Sequence, residues 1–299
     1  MHASEPTECG NIVHWSMHRG AWFYRLRVTL LGSVLVAVCA WACFDVMDRR
    51  ARTEWNAPIT VGVVVMRLGD VSPEALVRLT ERVRVLERRL SMELRRYRPE
   101  AQQPMIRLVP YGPVEVTEPP PDVPGTTLWE RLVHTVELFQ YTSAVDRAAG
   151  VPTLALDSRI YLLAEPPRSG FDYSVEGYSE AGGRVGVARV SLDATTVDLG
   201  LFVVAHELFH TLGASDKYDE HGRTRIPEGL AEPDRVPLFP QPGAEIMARN
   251  RVVDATREIA PDSLEELYVG RWTAREIGWL TAPVRQRTES APIADATRY

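Results

Sequence analysis

Residues 197–219 read VDLGLFVVAHELFHTLGASDKYD, an apolar run that leads into two histidines and several carboxylates. The apolar run predicts a buried helix that ends at Gly213, because glycine readily takes the positive φ that closes a helix. His206 and His210 lie four residues apart and therefore share one face of that helix. This is the separation at which two imidazoles reach one tetrahedral Zn²⁺.

Glu207 points about 100° around the helix from His206, toward a water on such a metal and not toward the metal itself. In an H-E-x-x-H arrangement the metal lowers the pKa of that water and the carboxylate accepts its proton. The turn after Gly213 favours Asp216 as the third ligand. Three alternative third ligands remain open at this point, namely His221, Glu228 and Glu232.

The run HELFHTLGASD at 206–216 resembles the long motif of metzincin metallopeptidases, H-E-x-x-H-x-x-G-x-x-H/D, in which aspartate is the less common third ligand. The overlapping ASDKYD at 214–219 is similar to the motif of immune-inhibitor-A-type secreted peptidases. Gly243 and the AEIMA that follows it, centred on Met247, resemble the Met-turn that lies below the zinc in metzincins. The resemblance implies one catalytic zinc ion held by His206, His210 and Asp216.

The same resemblance implies that Glu207 is the general base and that Gly213 and Met247 support the site. It also implies an α/β catalytic domain over 59–280, with a mixed twisted sheet, two backing helices, an active-site helix and a C-terminal helix. An edge strand at 184–192 would line a horizontal cleft and bind an extended peptide by strand addition.

The chain departs from the metzincin pattern two residues after the Met, where some members have a tyrosine ligand and this chain has Arg249. Tyr218 is the nearest alternative for a role in the transition state. Lys217, the only lysine among 34 basic residues, follows Asp216. We expect either an exposed loop lysine or a cation that offsets Asp216 or Asp219. Too few oxygen ligands accompany Asp219 to support a Ca²⁺ site there.

Hydrophobic patterning around this motif predicts the remaining elements in the order strand, helix, strand, helix, strand, strand. Ser72 caps the first of these helices. The Thr127 capping box begins the second, which ends at Gly150. We expect the strand at 184–192 to be antiparallel and a proline-rich loop to extend to 124. The predicted ranges are strands at 59–69, 105–110, 159–164 and 184–192, and helices at 72–98, 127–150 and 263–280.

Residues 28–44 carry no charge and are long enough to cross a membrane. We expect an uncleaved anchor between a short tail, 1–27, and a polar linker, 45–58, with the large domain on the extracytoplasmic side. The alternative is a signal peptide cleaved after Ala42, which would release a secreted enzyme. A further tail is expected at 281–299. Neither Cys43 nor Asp48 can be assigned to a latency mechanism.

The composition excludes several functions. A formal charge of −6 over 299 residues argues against nucleic acid as a partner. All three cysteines lie within the first 43 residues, so any metal bound by the domain must be held by nitrogen and oxygen. The sequence therefore predicts a membrane-anchored zinc endopeptidase that acts on peptide or protein substrates. The alternatives are a non-catalytic zinc-containing peptide-binding module and a zinc amidase acting on cell-wall peptide.

Overall fold

The computed structural model describes residues 16–122, 126–167, 175–179 and 182–280. The chain divides into two compact units, Met1–Arg50 and Ala51–Tyr299. The C-terminal tail predicted at 281–299 lies outside the described residues.

Helix α1, Ser16–Glu54, contains the apolar segment. Its portion Trp22–Glu54 is long and apolar enough to cross a membrane, by length and composition, and a signal sequence has the same properties. Within the predicted polar linker at 45–58, α1 continues to Glu54, and both Arg52 and Trp55 are buried in the second unit. A hydrogen bond fixes this end of the segment, because the indole of Trp55 donates to the carbonyl oxygen of Ile277 at 2.6 Å.

The second unit is an α/β fold built on a five-stranded mixed sheet, as predicted. Its strand order is β2-β1-β3-β5-β4, and only β4 runs antiparallel to its neighbour. The strands are β1 (Ile59–Leu68), β2 (Ile106–Val116), β3 (Ser158–Glu165), β4 (Val175–Ser179) and β5 (Val185–Ser191).

Two details of the predicted sheet were wrong. β5 lies inside the sheet and parallel to β3, whereas the antiparallel edge strand is β4, which the sequence analysis missed. β4 has only five residues, with Gly177 at its centre, and glycine lowers strand propensity.

β2 extends to Val116 through Pro110 and Pro113, because an edge strand tolerates residues that lack an N–H.

The helices begin and end close to the predicted residues. They are α2 (Pro73–Tyr97), α3 (Leu128–Ala149) and α4 (Val197–Thr211). Ser72 caps α2, the Thr127 capping box opens α3, and Gly150 closes α3 with a φ of 65°. α2 and α4 share one apolar core on one face of the sheet, whereas α3 packs against a smaller cluster on the other face.

The helix predicted at 263–280 is wrong over most of its length. The chain instead forms a 3₁₀ turn, Leu264–Glu266, and a short helix α5, Arg271–Glu276. Two buried carboxylates explain the difference, because Glu93 accepts from the backbone N–H of Val269 and Glu245 from that of Gly270, which holds this stretch extended. The short strands near it are β6 (Ala244–Glu245), β7 (Arg251–Val252), β8 (Glu258–Ile259) and β9 (Leu267–Tyr268).

Candidate metal centre

His206 and His210 are held in defined orientations by backbone carbonyls. Nδ1 of His206 lies 2.8 Å from the carbonyl oxygen of Ile246, and Nδ1 of His210 lies 2.9 Å from that of Ala214. A carbonyl oxygen only accepts, so each Nδ1 carries the proton and each Nε2 presents a lone pair. Gly213 closes the helix beside them with a φ of 97° and donates to the carbonyl oxygen of His210.

Asp216 completes a convergent group of acceptors. Its Oδ1 lies 3.2 Å from Nε2 of His206 and 3.2 Å from Nε2 of His210, and the three ligand atoms lie within 4.8 Å of one another. Oδ1 is buried and receives no hydrogen bond within the described part of the chain. Three acceptors that converge in this way could hold a cation, and two imidazole nitrogens with one carboxylate oxygen match the donor set of zinc.

The charges of this group are strongly coupled. Burial alone would raise the pKa of Asp216, but the adjacent imidazoles hold that pKa well below its usual range. Burial lowers the pKa of His210, yet Asp216 and Glu207 outweigh it and raise the pKa overall. A proton and a metal ion therefore compete for the same nitrogen.

The alternative third ligands lie elsewhere. His221 is exposed and its imidazole lies beside Glu220, while Glu232 pairs with Arg235. Among the described residues, the group of three that can hold a metal consists of His206, His210 and Asp216 and does not include Glu228.

Glu276 holds the loop that carries Asp216. Its carboxylate accepts from the backbone N–H of Ser215 at 3.0 Å and from the hydroxyl of Ser215 at 2.9 Å. Nζ of Lys217 donates to the same carboxylate at 2.7 and 2.8 Å. Burial would raise the pKa of Glu276, but Lys217 and Ser215 lower it. Both neighbours of Asp216 are thus fixed by one residue of α5.

Lys217 is 4% exposed, so the expectation of an exposed loop lysine is wrong. Its ammonium pairs with Glu276 rather than with Asp216 or Asp219. Nothing in the sequence pattern marked Glu276, because it lies 59 positions after Lys217 in a segment that was expected to be a longer helix.

The segment around Met247 contacts the site through its backbone. Met247 is fully buried, and its carbonyl oxygen accepts from the N–H of Lys217 at 2.8 Å. Oε2 of Glu245 accepts from the N–H of Met247 at 2.7 Å. Burial raises the pKa of Glu245, a second residue that the sequence analysis missed. The predicted turn therefore contacts the candidate ligands, with the carbonyl oxygen of Ile246 bonded directly to His206.

The side chain of Glu207, on α4, lies against the edge strand β4. Its Oε2 accepts from the hydroxyl of Ser179 at 2.6 Å. A Cβ at Gly177 would lie 2.1 Å from Oε1 of Glu207, so only glycine lets the strand backbone come this close. Burial raises the pKa of Glu207, while His206 and Ser179 oppose that increase. Sequence patterns carried no signal for Ser179 and Gly177, because they did not predict the strand β4 on which these residues lie.

Tyr218 lies beside His206 and Arg249. The ring of Tyr218 is nearly parallel to that of His206, at a centroid distance of 6.4 Å, and the guanidinium of Arg249 lies 5.4 Å from the centroid of the tyrosine ring. Burial and the nearby Asp216 raise the pKa of Tyr218 to about 12. Arg249, at the position where some metzincins have a tyrosine, thus contacts the ring of Tyr218.

Asp219 is not part of this group. Its Oδ1 accepts from the backbone N–H groups of His221 and Arg223, each at 2.9 Å. Its carboxylate closes a local turn and does not join Asp216, so the structure adds no oxygen ligand in support of a Ca²⁺ site.

No family model matches the chain. No curated protein matches it either. Among solved structures, the chain is similar to archaemetzincin from Methanopyrus kandleri, with 17% identity over 54% of this chain and 77% of that one and a TM-score of 0.30. It is also similar to OgpA from Akkermansia muciniphila, with 14% identity, coverage of 79% and 66%, and a TM-score of 0.36. A chaperone–substrate complex gives 16% identity, coverage of 74% and 37%, and a TM-score of 0.29. Similarity at this level does not assign the chain to a family.

Proposed function

We propose that this chain is a zinc-dependent endopeptidase. The observation that carries the proposal is the convergence of Nε2 of His206, Nε2 of His210 and Oδ1 of Asp216, with each Nδ1 bonded to a backbone carbonyl. A structural zinc site closes its fourth position with another protein ligand, and the described residues offer three ligands here. An open fourth position is typical of a catalytic ion.

Zinc bound there supplies a Lewis acid that polarises a peptide carbonyl and makes water a stronger acid. Glu207 accepts the proton of the attacking water and then delivers it to the departing amine. The hydroxyl of Ser179 holds Oε2 of Glu207 and so fixes the plane of the carboxylate. Burial favours the protonated form that the delivery step needs.

We propose that the hydroxyl of Tyr218 donates a hydrogen bond to the substrate carbonyl oxygen as negative charge develops on it. With a pKa of about 12 it keeps its proton at neutral pH. Its ring is held between the imidazole of His206 and the guanidinium of Arg249, so the hydroxyl is positioned before the substrate arrives.

The substrate is an extended peptide that pairs with β4. In the described part of the chain β4 pairs with β5 along one edge, and its other edge is available for main-chain hydrogen bonds. Gly177 and Ser179 of this strand contact Glu207, so a peptide on that edge runs past the general base.

We further propose that α1 anchors the enzyme in a membrane, with the catalytic domain on the extracytoplasmic side. Protease protection in sealed membrane vesicles tests both points. The proposal expects digestion of the domain from the extracytoplasmic side and retention of residues 28–44 in the membrane pellet. A mature N-terminus at Cys43 in the soluble fraction would instead identify a signal peptide.

The direct test of function is Glu207→Ala, with Glu220→Ala as the matched control because Glu220 is 88% exposed. Removal of a general base costs about 10²–10⁴-fold in rate, so cleavage of a peptide library falls by that factor while zinc content stays unchanged. Glu220→Ala keeps full activity. Wild-type chain that holds zinc but turns over no peptide would indicate a peptide-binding module, and cleavage confined to cell-wall peptide would indicate an amidase.

A further inference from the structure

A cavity of about 530 Å³ lies between α3 and the strands β4 and β5, on the face of the sheet opposite α4. This volume falls within the range of small-ligand sites in proteins. Apolar side chains form much of its wall, among them Leu138, Phe139, Tyr178, Val185 and Val187.

The cavity exists because α3 is attached by its C-terminal half. Its buried residues are Thr142, Val145 and Asp146. Asp146 accepts from the hydroxyl of Tyr161 at 2.7 Å and pairs with Arg159, which fixes this half to β3. The N-terminal half has no buried residue among those described, and it contacts the sheet through His134, whose ring lies 5.8 Å from that of Tyr178.

The strands connect this cavity to the metal centre. Along β4 the ring of Tyr178 faces α3, where it lies 5.8 Å from the ring of His134, whereas Gly177 and Ser179 face Glu207. Ser179 is common to both places, because it lines the cavity and bonds the general base.

β5 alternates in the same way. Val185 and Val187 line the cavity, and a Cβ at Gly186 would lie 3.1 Å from Cβ of Glu207. Only the thickness of one sheet therefore separates the cavity from Glu207.

We infer that this cavity is a specificity subsite that receives an aromatic side chain of the peptide substrate. The inference rests on the proposed function. A peptide added to the edge of β4 continues the alternation of the sheet, so its side chains point in turn toward Glu207 and toward α3. When one peptide side chain faces Glu207, the next side chain along the peptide therefore points to the face of the sheet where the cavity lies.

The chemistry of the wall favours an aromatic ring over an aliphatic group. The apolar lining and the edge of the Tyr178 ring suit a flat apolar group. Three arginines, Arg131, Arg159 and Arg184, also line the cavity; Arg159 is paired with Asp146, and a guanidinium can stack on an aromatic ring. Nε2 of His134 is buried without a hydrogen-bond partner among the described residues, so a tyrosine hydroxyl finds an acceptor or donor there.

Two variants fill the cavity from opposite walls, Val185→Trp from β5 and Thr135→Trp from α3. The matched control is Val136→Trp, because Val136 is 47% exposed and does not line the cavity. The full chain in detergent first cleaves a proteome-derived peptide library, which identifies the cleaved sequences. Peptide pairs that differ only by tyrosine or alanine at each position within four residues of the cleaved bond then give kcat/KM.

The wild type is expected to prefer the aromatic residue at least tenfold at one of these positions. Both filling variants reduce that preference below threefold and retain cleavage of the alanine peptide, whereas Val136→Trp keeps the preference. Cleavage by the wild type without an aromatic preference, or a preference that survives both filling variants, overturns the inference and leaves the proposed function intact. A wild type that cleaves no peptide overturns the proposed function and the subsite together.

Discussion

The two faces of the five-stranded sheet are covered to very different extents. On one face α2 and α4 pack into a continuous core in which many side chains are fully buried. On the other face α3 contributes three buried residues and carries five large apolar side chains that are exposed, namely Leu128, Trp129, Leu132, Val136 and Phe139. The difference teaches that the candidate metal ligands lie on the densely packed face, whereas the cavity that we propose as a substrate subsite lies on the loosely packed one.

Removal of one core leucine on the α2 face is the strongest way to test this contrast. Leu90→Ala truncates a fully buried side chain and is expected to lower the free energy of unfolding by about 3 kcal/mol. The matched change on α3, Leu132→Ala, affects a side chain that is 54% exposed and costs less than about 0.5 kcal/mol. Chemical denaturation of the full chain measures both, and equal costs would contradict the contrast.

Arg52 gives the next largest effect. Its buried guanidinium donates to the carbonyl oxygens of Gly182, Gly183 and Thr211, and so joins the turn before β5 to the end of α4. Arg52→Met leaves these acceptors unpaired and is expected to cost about 2 kcal/mol of stability.

Arg78→Met, at an exposed position of α2, serves as the control for Arg52→Met and is expected to be neutral. Thermal unfolding measures both variants. An unchanged midpoint for Arg52→Met would show that the end of α1, after its apolar segment, does not support the site.

Glu276→Gln tests the support of Asp216. The change weakens the ion pair with Lys217, and such supporting contacts are worth about 10- to 100-fold in metal affinity, so zinc affinity is expected to fall about tenfold. Competition with a chromogenic chelator measures the affinity. Glu265→Gln, an exposed neighbour in the same region, should bind zinc as the wild type does.

The smallest effect is expected at the start of α3. Thr127→Ala removes the hydroxyl of the capping box, which is worth about 1 kcal/mol, or roughly a fivefold change in local opening. Because this half of α3 is not packed, amide exchange accelerates over 128–133 while global stability is unchanged. Ser72→Ala, at the cap of the packed helix α2, should instead lower global stability. If Thr127→Ala and Ser72→Ala lowered the global free energy of unfolding equally, α3 would be packed as firmly as α2, against this account.

Local patterns in the sequence were sufficient for the elements that have local causes. The apolar stripe of α2 and the caps at Ser72 and Thr127 lie where predicted, because spacing and capping act within one helix. The spacing of His206, His210 and Asp216 likewise predicted that these three side chains lie together, since α4 and the turn at Gly213 set their geometry.

The remaining features depend on contacts distant in sequence. Glu276 and Glu245 shape the site only after the C-terminal segment folds back onto it, and Glu245 also keeps Gly270 out of a helix. β4 is short and contains glycine, so its role became visible only through its contact with Glu207. No periodicity in the sequence reports such contacts.

Zinc content of the purified full chain tests the central claim most directly. The claim predicts one zinc per chain in the wild type and in Glu207→Ala, and none in His206→Ala after dialysis against chelator. X-ray absorption at the zinc edge should then show nitrogen and oxygen ligands at about 2.0–2.2 Å and no sulfur. A wild-type chain without zinc, or a zinc ion that remains bound in His206→Ala, would contradict the account.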